Sequence, residues 1–476
     1  MNTGPLHRFL MWVDQRTGLN ALLKKALGEP IPGGARLAYI FGSGLIFIFI
    51  LQAITGVFLT LYYVPSADHA YSTVSYITKE VTSGSFLRSL HAYGSSAMVI
   101  ILILHVTQTI IYGAYKRQRE LLWLSGCFLS VLILGMAFTG YLLPWDQKAY
   151  FATAVGTNIA TEVPLVGDLI KRFMRGGNDL GTLTLSRFFS AHVLFIPAAI
   201  GAMVSIHVYL FRKAGAAGPF THTPTLHHQQ NSEPFYPKQL LMDLGLALLL
   251  IAMLSMLAHF HPYELGPQAN PADTHYLGRP EWYYRPVFQW LKYWKPPYTA
   301  IGILVIPLVV AVIFAALPFL DRHTERHPSK RPIVLSTYAF VLALLVLLGR
   351  QSYLDDSDTP AVLNQMTKQE LEVEEIMSRP FEPEVSGVIV ATTPPAVTIK
   401  GRQTYELQAC DACHGHGGSG GPGASKLTGI GSKYSTEQLM TLLKHPDEKM
   451  IAGGMIPSQL RERELKALVE YLRSLK

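Results

Sequence analysis

Four histidines have the type and spacing to hold metal inside a membrane. His91 and His105 lie 14 residues apart in one apolar stretch, and His192 and His207 lie 15 apart in another. At 3.6 residues per turn, both spacings return near one helix face about 21 Å further along the axis. A six-coordinate electron-transfer iron takes two axial ligands, and imidazole is a common one. Two such helices face to face would hold two stacked haems, with His91 opposite His192 and His105 opposite His207. A lone histidine in a span often only hydrogen-bonds a neighbouring helix, but four in register are hard to read that way. Glycines repeat the interval, since Gly42 and Gly56, and likewise Gly126 and Gly140, are 14 apart. A flat macrocycle resting on a helix needs backbone without a side chain, which glycine supplies, although each glycine alone is ordinary helix packing.

A second constellation lies near the C-terminus, Cys410-Asp-Ala-Cys413-His414. CxxCH is the attachment motif of a c-type haem, in which both thiols bond the vinyl groups and the histidine ligates iron. A zinc site would want further cysteines or histidines at finger spacing, and only His416 and His445 follow. What does follow is a glycine-rich loop, Gly415 to Gly423, then Gly453-Gly454-Met455-Ile456-Pro457, then an amphipathic helix from about Gln459 to Leu475. Met455 can supply a thioether sixth ligand, and Met450, which lacks the glycine and proline bracket, is its rival.

The elements that must position these groups are mostly membrane helices. Of 476 residues, 49% are hydrophobic and 15% charged, the composition of a membrane protein with soluble portions. Three cysteines, Cys127, Cys410 and Cys413, exclude a disulfide framework. The net charge of +7 does not point to nucleic acid, because the basic residues sit in short loops between apolar segments. Residues 1–35 lack the order of a cleavable signal and read as an amphipathic helix on the membrane surface. Seven spans are expected near 36–62, 90–113, 122–143, 188–211, 238–260, 299–320 and 333–349, the last of them short.

Lys24, Lys25, Arg36, Lys116, Arg117, Arg119, Arg212, Lys213, Arg322, Arg326, Lys330 and Arg331 all fall on one side, which the positive-inside rule makes cytoplasmic. Seven spans then carry the C-terminus to the opposite side, where covalent haem attachment takes place. The expected organisation is a surface segment (1–35), a four-helix dihaem domain (36–215), a three-helix domain (216–350), an acidic proline-containing linker (351–399) and a small all-α domain (400–476).

Two further motifs identify a relationship, Pro144-Trp145-Asp146-Gln147 after the third span and Pro280-Glu281-Trp282-Tyr283 between the fifth and sixth. With Lys116-Arg117-Gln118-Arg119 and Arg212-Lys213-Ala214-Gly215, residues 1 to about 350 resemble the cytochrome b of quinol:cytochrome c reductases, the cytochrome bc complexes. The 15-residue spacing in the fourth span resembles the chloroplast-type branch, which divides this region between two polypeptides. The C-terminal domain resembles a class I cytochrome c.

The resemblance implies two non-covalent b haems, one covalent c haem and a quinol substrate. It implies that Glu281 binds quinol and carries away its proton, beside Tyr283. Arg88 and Arg187 match arginines near haem propionates, and Asp243, accompanied by Arg212, matches the acidic residue that protonates quinone at the opposite site. It further implies a Rieske iron-sulfur partner, exchange with the quinone pool, a downstream cytochrome c or oxidase, a homodimeric complex and an inner-membrane location. Two positions depart from the branch. Gln108 replaces an arginine, and Ile40 replaces a cysteine that binds an additional haem, so such a haem would be held only non-covalently. The competing expectations are a non-bifurcating dihaem quinol dehydrogenase, and a transporter or haem-delivery protein.

Overall fold

The computed structural model describes residues 4–32, 34–218, 232–273, 275–382, 396–408, 410–420, 426–452 and 455–475. The chain forms two compact units, residues 1–381 and 382–476.

The first unit begins with α1 (Pro5–Thr17) and α2 (Leu19–Leu27), joined at Gly18, whose φ of 65° is a left-handed conformation that glycine adopts without strain. Leu6, Phe9, Leu10 and Trp12 stay exposed on α1, as an interfacial helix requires. A two-stranded antiparallel ribbon pairs β1 (Pro30–Pro32) with β2 (Ser232–Pro234), placing Ile31 opposite Glu233.

Helices then follow as α3 (Ile40–Thr60), α4 (Ala70–Lys79), α5 (Gly84–Ile111), α6 (Glu120–Tyr141), α7 (Gln147–Ile159), α8 (Gly167–Arg175), α9 (Thr182–Ser190) and α10 (Ile196–Ala214). After these come α11 (Lys238–Phe260), α12 (Arg285–Lys292), α13 (Ile306–Ala315), α14 (Leu317–Leu320), α15 (Pro332–Asp358) and α16 (Pro360–Ser378). Among the described residues, six helices are long and apolar enough to cross a bilayer: Leu37–Thr60, α5, α6, the continuous run Thr182–Ala214, α11 and α15. Ile48, Met98, Ile101 and Leu250 form one core where α3, α5 and α11 meet.

Three expectations are corrected. The apolar stretch 299–320 is not one regular helix; it consists of a π turn (Ile301–Val305), α13 and α14, interrupted because Pro307 and Pro318 lack the N–H that a continuous helix needs. The last span is not short, since α15 runs 27 residues to Asp358, carried past its apolar stretch by polar packing described below. Residues 351–378, read as linker, are helical: Pro360 pushes Thr359 into extended backbone, ending α15, and then serves as the first residue of α16. The linker prolines Pro383, Pro394 and Pro395 lie outside the described residues.

Some basic loop residues used for orientation are structural. Lys116 is buried, donating to Asp321 Oδ1 (2.6 Å) and the His323 carbonyl (2.6 Å), and buried Arg331 donates to the carbonyls of Ile110 and Ile111.

The second unit contains α17 (Ala396–Leu407), α18 (Cys410–His414), α19 (Ile430–Lys433), α20 (Thr436–Lys444), α21 (Glu448–Ala452) and α22 (Glu462–Ser474). Tyr405 of α17 packs with Leu468, Tyr471 and Leu472 of α22. The two helices approach closely at Gly401, where a Cβ would fall on the Ala467 carbonyl. Ser435 and Gln438 form a capping box on α20.

Candidate functional site

All four intramembrane histidines face the interior of the first unit, each against one of the four glycines. A Cβ at Gly56 would lie 3.1 Å from His91 Cε1, at Gly42 3.6 Å from His105 Cε1, and at Gly126 3.3 Å from His207 Cε1; at Gly140 it would collide with the His192 ring. The glycines therefore clear the imidazole rings themselves, in addition to leaving room for a planar group beside them.

Hydroxyls from neighbouring helices hold three of the four rings. Thr55 Oγ1 lies 2.9 Å from His91 Nδ1 while its own proton goes to the Leu51 carbonyl. Ser125 Oγ lies 2.9 Å from His207 Nδ1 and donates to the Leu122 carbonyl. Thr139 Oγ1 lies 3.2 Å from His192 Nδ1 and donates to the Gly135 carbonyl; the Met136 carbonyl is a second acceptor for that nitrogen at 3.1 Å. Each hydroxyl has spent its proton, so Nδ1–H donates and Nε2 keeps its lone pair, the tautomer a metal-ligating imidazole requires.

The rings of His91 and His192 sit 6.2 Å apart, centre to centre, at 76°. Metal–nitrogen bonds of about 2 Å on each side, plus roughly 1 Å from each nitrogen to its ring centre, span about 6 Å. The pair fits a bis-imidazole haem.

The differing spacings, 14 in α5 and 15 in the fourth span, have a local cause. In a regular helix 14 residues fall about 40° short of four turns and 15 overshoot by about 60°. His192 sits in a π turn, Ala191–Phe195, closed by the Ile196 amide on the Ala191 carbonyl. Such a turn absorbs one extra residue, so the 15-residue interval behaves as 14. Pro197, which has no N–H and would crowd the preceding turn, favours the break at this place.

Beyond the His91–His192 pair, the same cavity of about 1030 Å³ is lined by Arg88, Tyr141, Asp146, Lys148, Tyr263, Tyr276, Glu281 and Tyr283. Its two motif loops are stitched together by backbone. Asp146 caps α7 through Ala149 N (2.8 Å) and accepts from Gly266 N (3.2 Å), Gln147 N donates to the Pro267 carbonyl (2.8 Å), and Gln147 Oε1 accepts from Asn270 N (2.8 Å). The segment Pro280–Tyr283 is bracketed by Arg279 and Arg285, which both bond the buried Asp356 carboxylate at the end of α15, at 2.7 and 2.8 Å. Removing one partner of such a buried ion cluster typically costs about 3–5 kcal/mol.

Within that frame Glu281 Oε1 accepts from Lys148 Nζ (2.7 Å) and Tyr263 Oη (2.8 Å). Among the described residues nothing bonds Oε2, which is left for a ligand. Burial, followed by the nearby Glu281 charge, pushes the Tyr263 hydroxyl well above its usual range, so it remains a donor. The Lys148 side chain is 39% exposed and that of Glu281 18%, a polar step from the covered carboxylate toward water. Lys148 and Tyr263 were missed from the sequence. Lys148 directly follows Pro-Trp-Asp-Gln and opposes Glu281 in charge, a usable signal; Tyr263 offers none.

The remaining expected residues divide. Arg88 is buried, donating to the carbonyls of Tyr263 (2.6 Å) and Glu264 (2.7 Å). Arg187 is not brought to the cavity; it is exposed and donates to the Phe173 carbonyl. Asp243 accepts from Gln239 Nε2 (3.0 Å), whereas Arg212 pairs with Glu29 (2.8 Å) and not with Asp243.

In the second unit, α18 places Cys410 and Cys413 one turn apart on a helix face, with His414 next. Tyr405 Oη donates to the Gly415 carbonyl (3.0 Å) and holds the end of that turn; burial raises its hydroxyl to about 12. This donor set fits covalent attachment of haem. Met450 lies in α21, and Met455 follows it with its amide on the Met450 carbonyl; Gly453 and Gly454 lie outside the described residues.

Comparison with known proteins follows the same division. Residues 27–215 match the family model for cytochrome b/b6/petB, 268–368 that for cytochrome b(C-terminal)/b6/petD, and 399–476 that for cytochrome c. The cytochrome bc complex cytochrome b subunit of Chlorobaculum thiosulfatiphilum is 34% identical over 350 residues, 73% of this chain and 81% of that one. The menaquinol:cytochrome c reductase cytochrome b subunit of Bacillus subtilis (strain 168) is 38% identical over 222 residues, 45% of this chain and 99% of its own. Among solved structures, a chain of a hyperthermophilic respiratory Complex III superposes with a TM-score of 0.67 at 27% identity, covering 77% of this chain and 96% of that chain.

Proposed function

The chain belongs to the cytochrome b family as a subunit of a bc-type quinol:cytochrome c reductase, a multi-pass membrane protein with a cytochrome c domain on the same polypeptide, and from that premise we propose that it oxidises quinol in the cavity around Glu281 and divides the two electrons. The observation that carries this reading is the continuity of one cavity from Glu281 to the His91–His192 pair.

A quinol hydroxyl bonded to the free Oε2 of Glu281 loses its proton to the carboxylate as general base. Tyr263 and Lys148 hold the opposite oxygen, and the exposed Lys148 side opens toward water for proton release. Tyr283 and Tyr141 close the pocket walls. His91 with His192 and His105 with His207 would hold two b haems, and Cys410, Cys413 and His414, with Met455, would hold a c haem; when bound, these groups would supply one-electron transfer.

The first electron needs a Rieske iron-sulfur protein, because this chain has no spare pair of cysteines for the cluster. The second electrons of two successive quinol oxidations reduce one quinone to quinol near the cytoplasmic face, with Asp243 as a proton donor; the net result is a Q cycle with proton translocation. The cytochrome c domain lies on the extracytoplasmic side of the inner membrane, delivers electrons to a cytochrome c or oxidase, and the complex is a homodimer.

Glu281→Gln tests the reading. The amide keeps the shape but accepts no proton, and general acid–base assistance is typically worth ~10²–10⁴-fold. Quinol oxidation slowed to that extent, with b and c haem spectra unchanged, is the expected result; turnover equal to wild type across pH assigns the proton another route.

A further inference from the structure

We propose that α16, a helix the sequence presents as an interdomain linker, is a wall of the quinol cavity and that Val373 is a residue that sets which quinol ring the cavity admits. This rests on the reading of that cavity as the quinol site.

The helix is anchored on one face. Gln369, Val373, Ile376 and Met377 are partly covered while Glu370, Leu371, Glu374 and Glu375 are exposed, the i, i+4, i+7, i+8 pattern of a helix with a single docking stripe. Gln369 Oε1 accepts from Leu277 N (3.1 Å), and Met377 Sδ accepts from Leu265 N (3.4 Å). Lys79 of α4 donates its ammonium to the carbonyls of Ile376 (2.6 Å) and Arg379 (2.7 Å), satisfying orphan carbonyls at a helix C-terminus, where positive charge is favoured. Phe381 then packs edge-on against Tyr76 of α4 at 5.3 Å.

Leu265 and Leu277 belong to the loop that leads from α11 to Glu281 and contributes Tyr263 and Tyr276 to the cavity. At the centre of the stripe Val373 itself lines the cavity. A helix fastened at its middle and at its C-terminal end over a cavity, with a small apolar side chain between the anchors lining it, forms a wall whose bulk limits the ring that fits. The match to the cytochrome b C-terminal family model ends at residue 368, one residue before the first of these anchors. The docking residues of α16 thus lie beyond the matched region.

The test uses the intact complex in native membranes with two probes, a short-chain naphthoquinol and a short-chain benzoquinol. Val373→Trp adds bulk to the cavity, so KM should rise about tenfold or more for the wider naphthoquinol and less for the benzoquinol, with the b and c haem spectra close to wild type. Val373→Ile should give an intermediate ratio of the two KM values. Gln369→Ala, which unfastens the helix without entering the cavity, should raise both KM values together. If Val373→Trp leaves both KM values within twofold of wild type while Glu281→Gln slows turnover, α16 is not a wall of the site and the proposal falls. If neither substitution changes turnover, the quinol-site reading itself fails.

Discussion

At His91, His192 and His207 the Nδ1 proton has a hydroxyl to go to, from Thr55, Thr139 and Ser125; at His105 Nδ1 is buried with no partner among the described residues. In the three satisfied cases the hydroxyl residue directly precedes the glycine that clears the same imidazole: Thr55-Gly56, Thr139-Gly140 and Ser125-Gly126. At His105 the corresponding pair is Phe41-Gly42. One helical step thus supplies both clearance and a proton acceptor, and Phe41 keeps the first while giving up the second to join the apolar core with Ile48 and Met98. The two histidine pairs are near copies in backbone and unequal in hydrogen bonding. A ring whose Nδ1–H is donated is a stronger base toward iron, and this stabilises the oxidised state.

Breaking one pair outright gives the largest effect. His207→Ala should lower the b haem content from two to one per chain and leave the c haem, read as a pyridine haemochrome ratio of one to one; loss of all three together would mean the bundle fails to fold. Removing one acceptor is milder. Thr55→Val should raise the midpoint potential of the haem at His91–His192 and leave the other in place, by about 40 mV for a net hydrogen bond of about 1 kcal/mol. A redox titration showing both haems moving equally would contradict a local effect. The smallest change is the converse, Phe41→Ser, which supplies the missing acceptor to His105 and should lower that haem's potential by on the order of 20 mV, at the lower end of the hydrogen-bond range. No shift there, with a shift in Thr55→Val, would show that the serine hydroxyl bonds its own helix instead.

The four histidines, their glycines, CxxCH and the two proline-containing motifs were legible because each is a local pattern whose period or spacing states its geometry. The Thr-Gly and Ser-Gly pairs were equally present in the sequence, and their meaning emerged only when the facing imidazole was known. The π turn was half legible. Fifteen residues between ligands and Pro197 after His192 are visible, but whether a helix absorbs the extra residue or rotates its ligand depends on the facing helix.

Arg187 and Arg212 bond groups that the sequence did not point to. Arginine near a membrane surface finds an oxygen wherever one is close, here Phe173 and Glu29, and sequence spacing does not rank such partners. The acidic composition of residues 370–375 suggested a solvated linker because the docking stripe of α16 uses one apolar or amide group per turn, too sparse to stand out against four glutamates.

The Asp356 clamp has a consequence for biosynthesis. Chains emerge from the ribosome N-terminus first, so all four imidazoles have been made once residue 207 is out. The carboxylate that grips Arg279 and Arg285 on either side of Glu281 arrives about 150 residues later, and Val373 later still. A nascent chain thus has its four intramembrane histidines well before it has the groups that frame the cavity around Glu281.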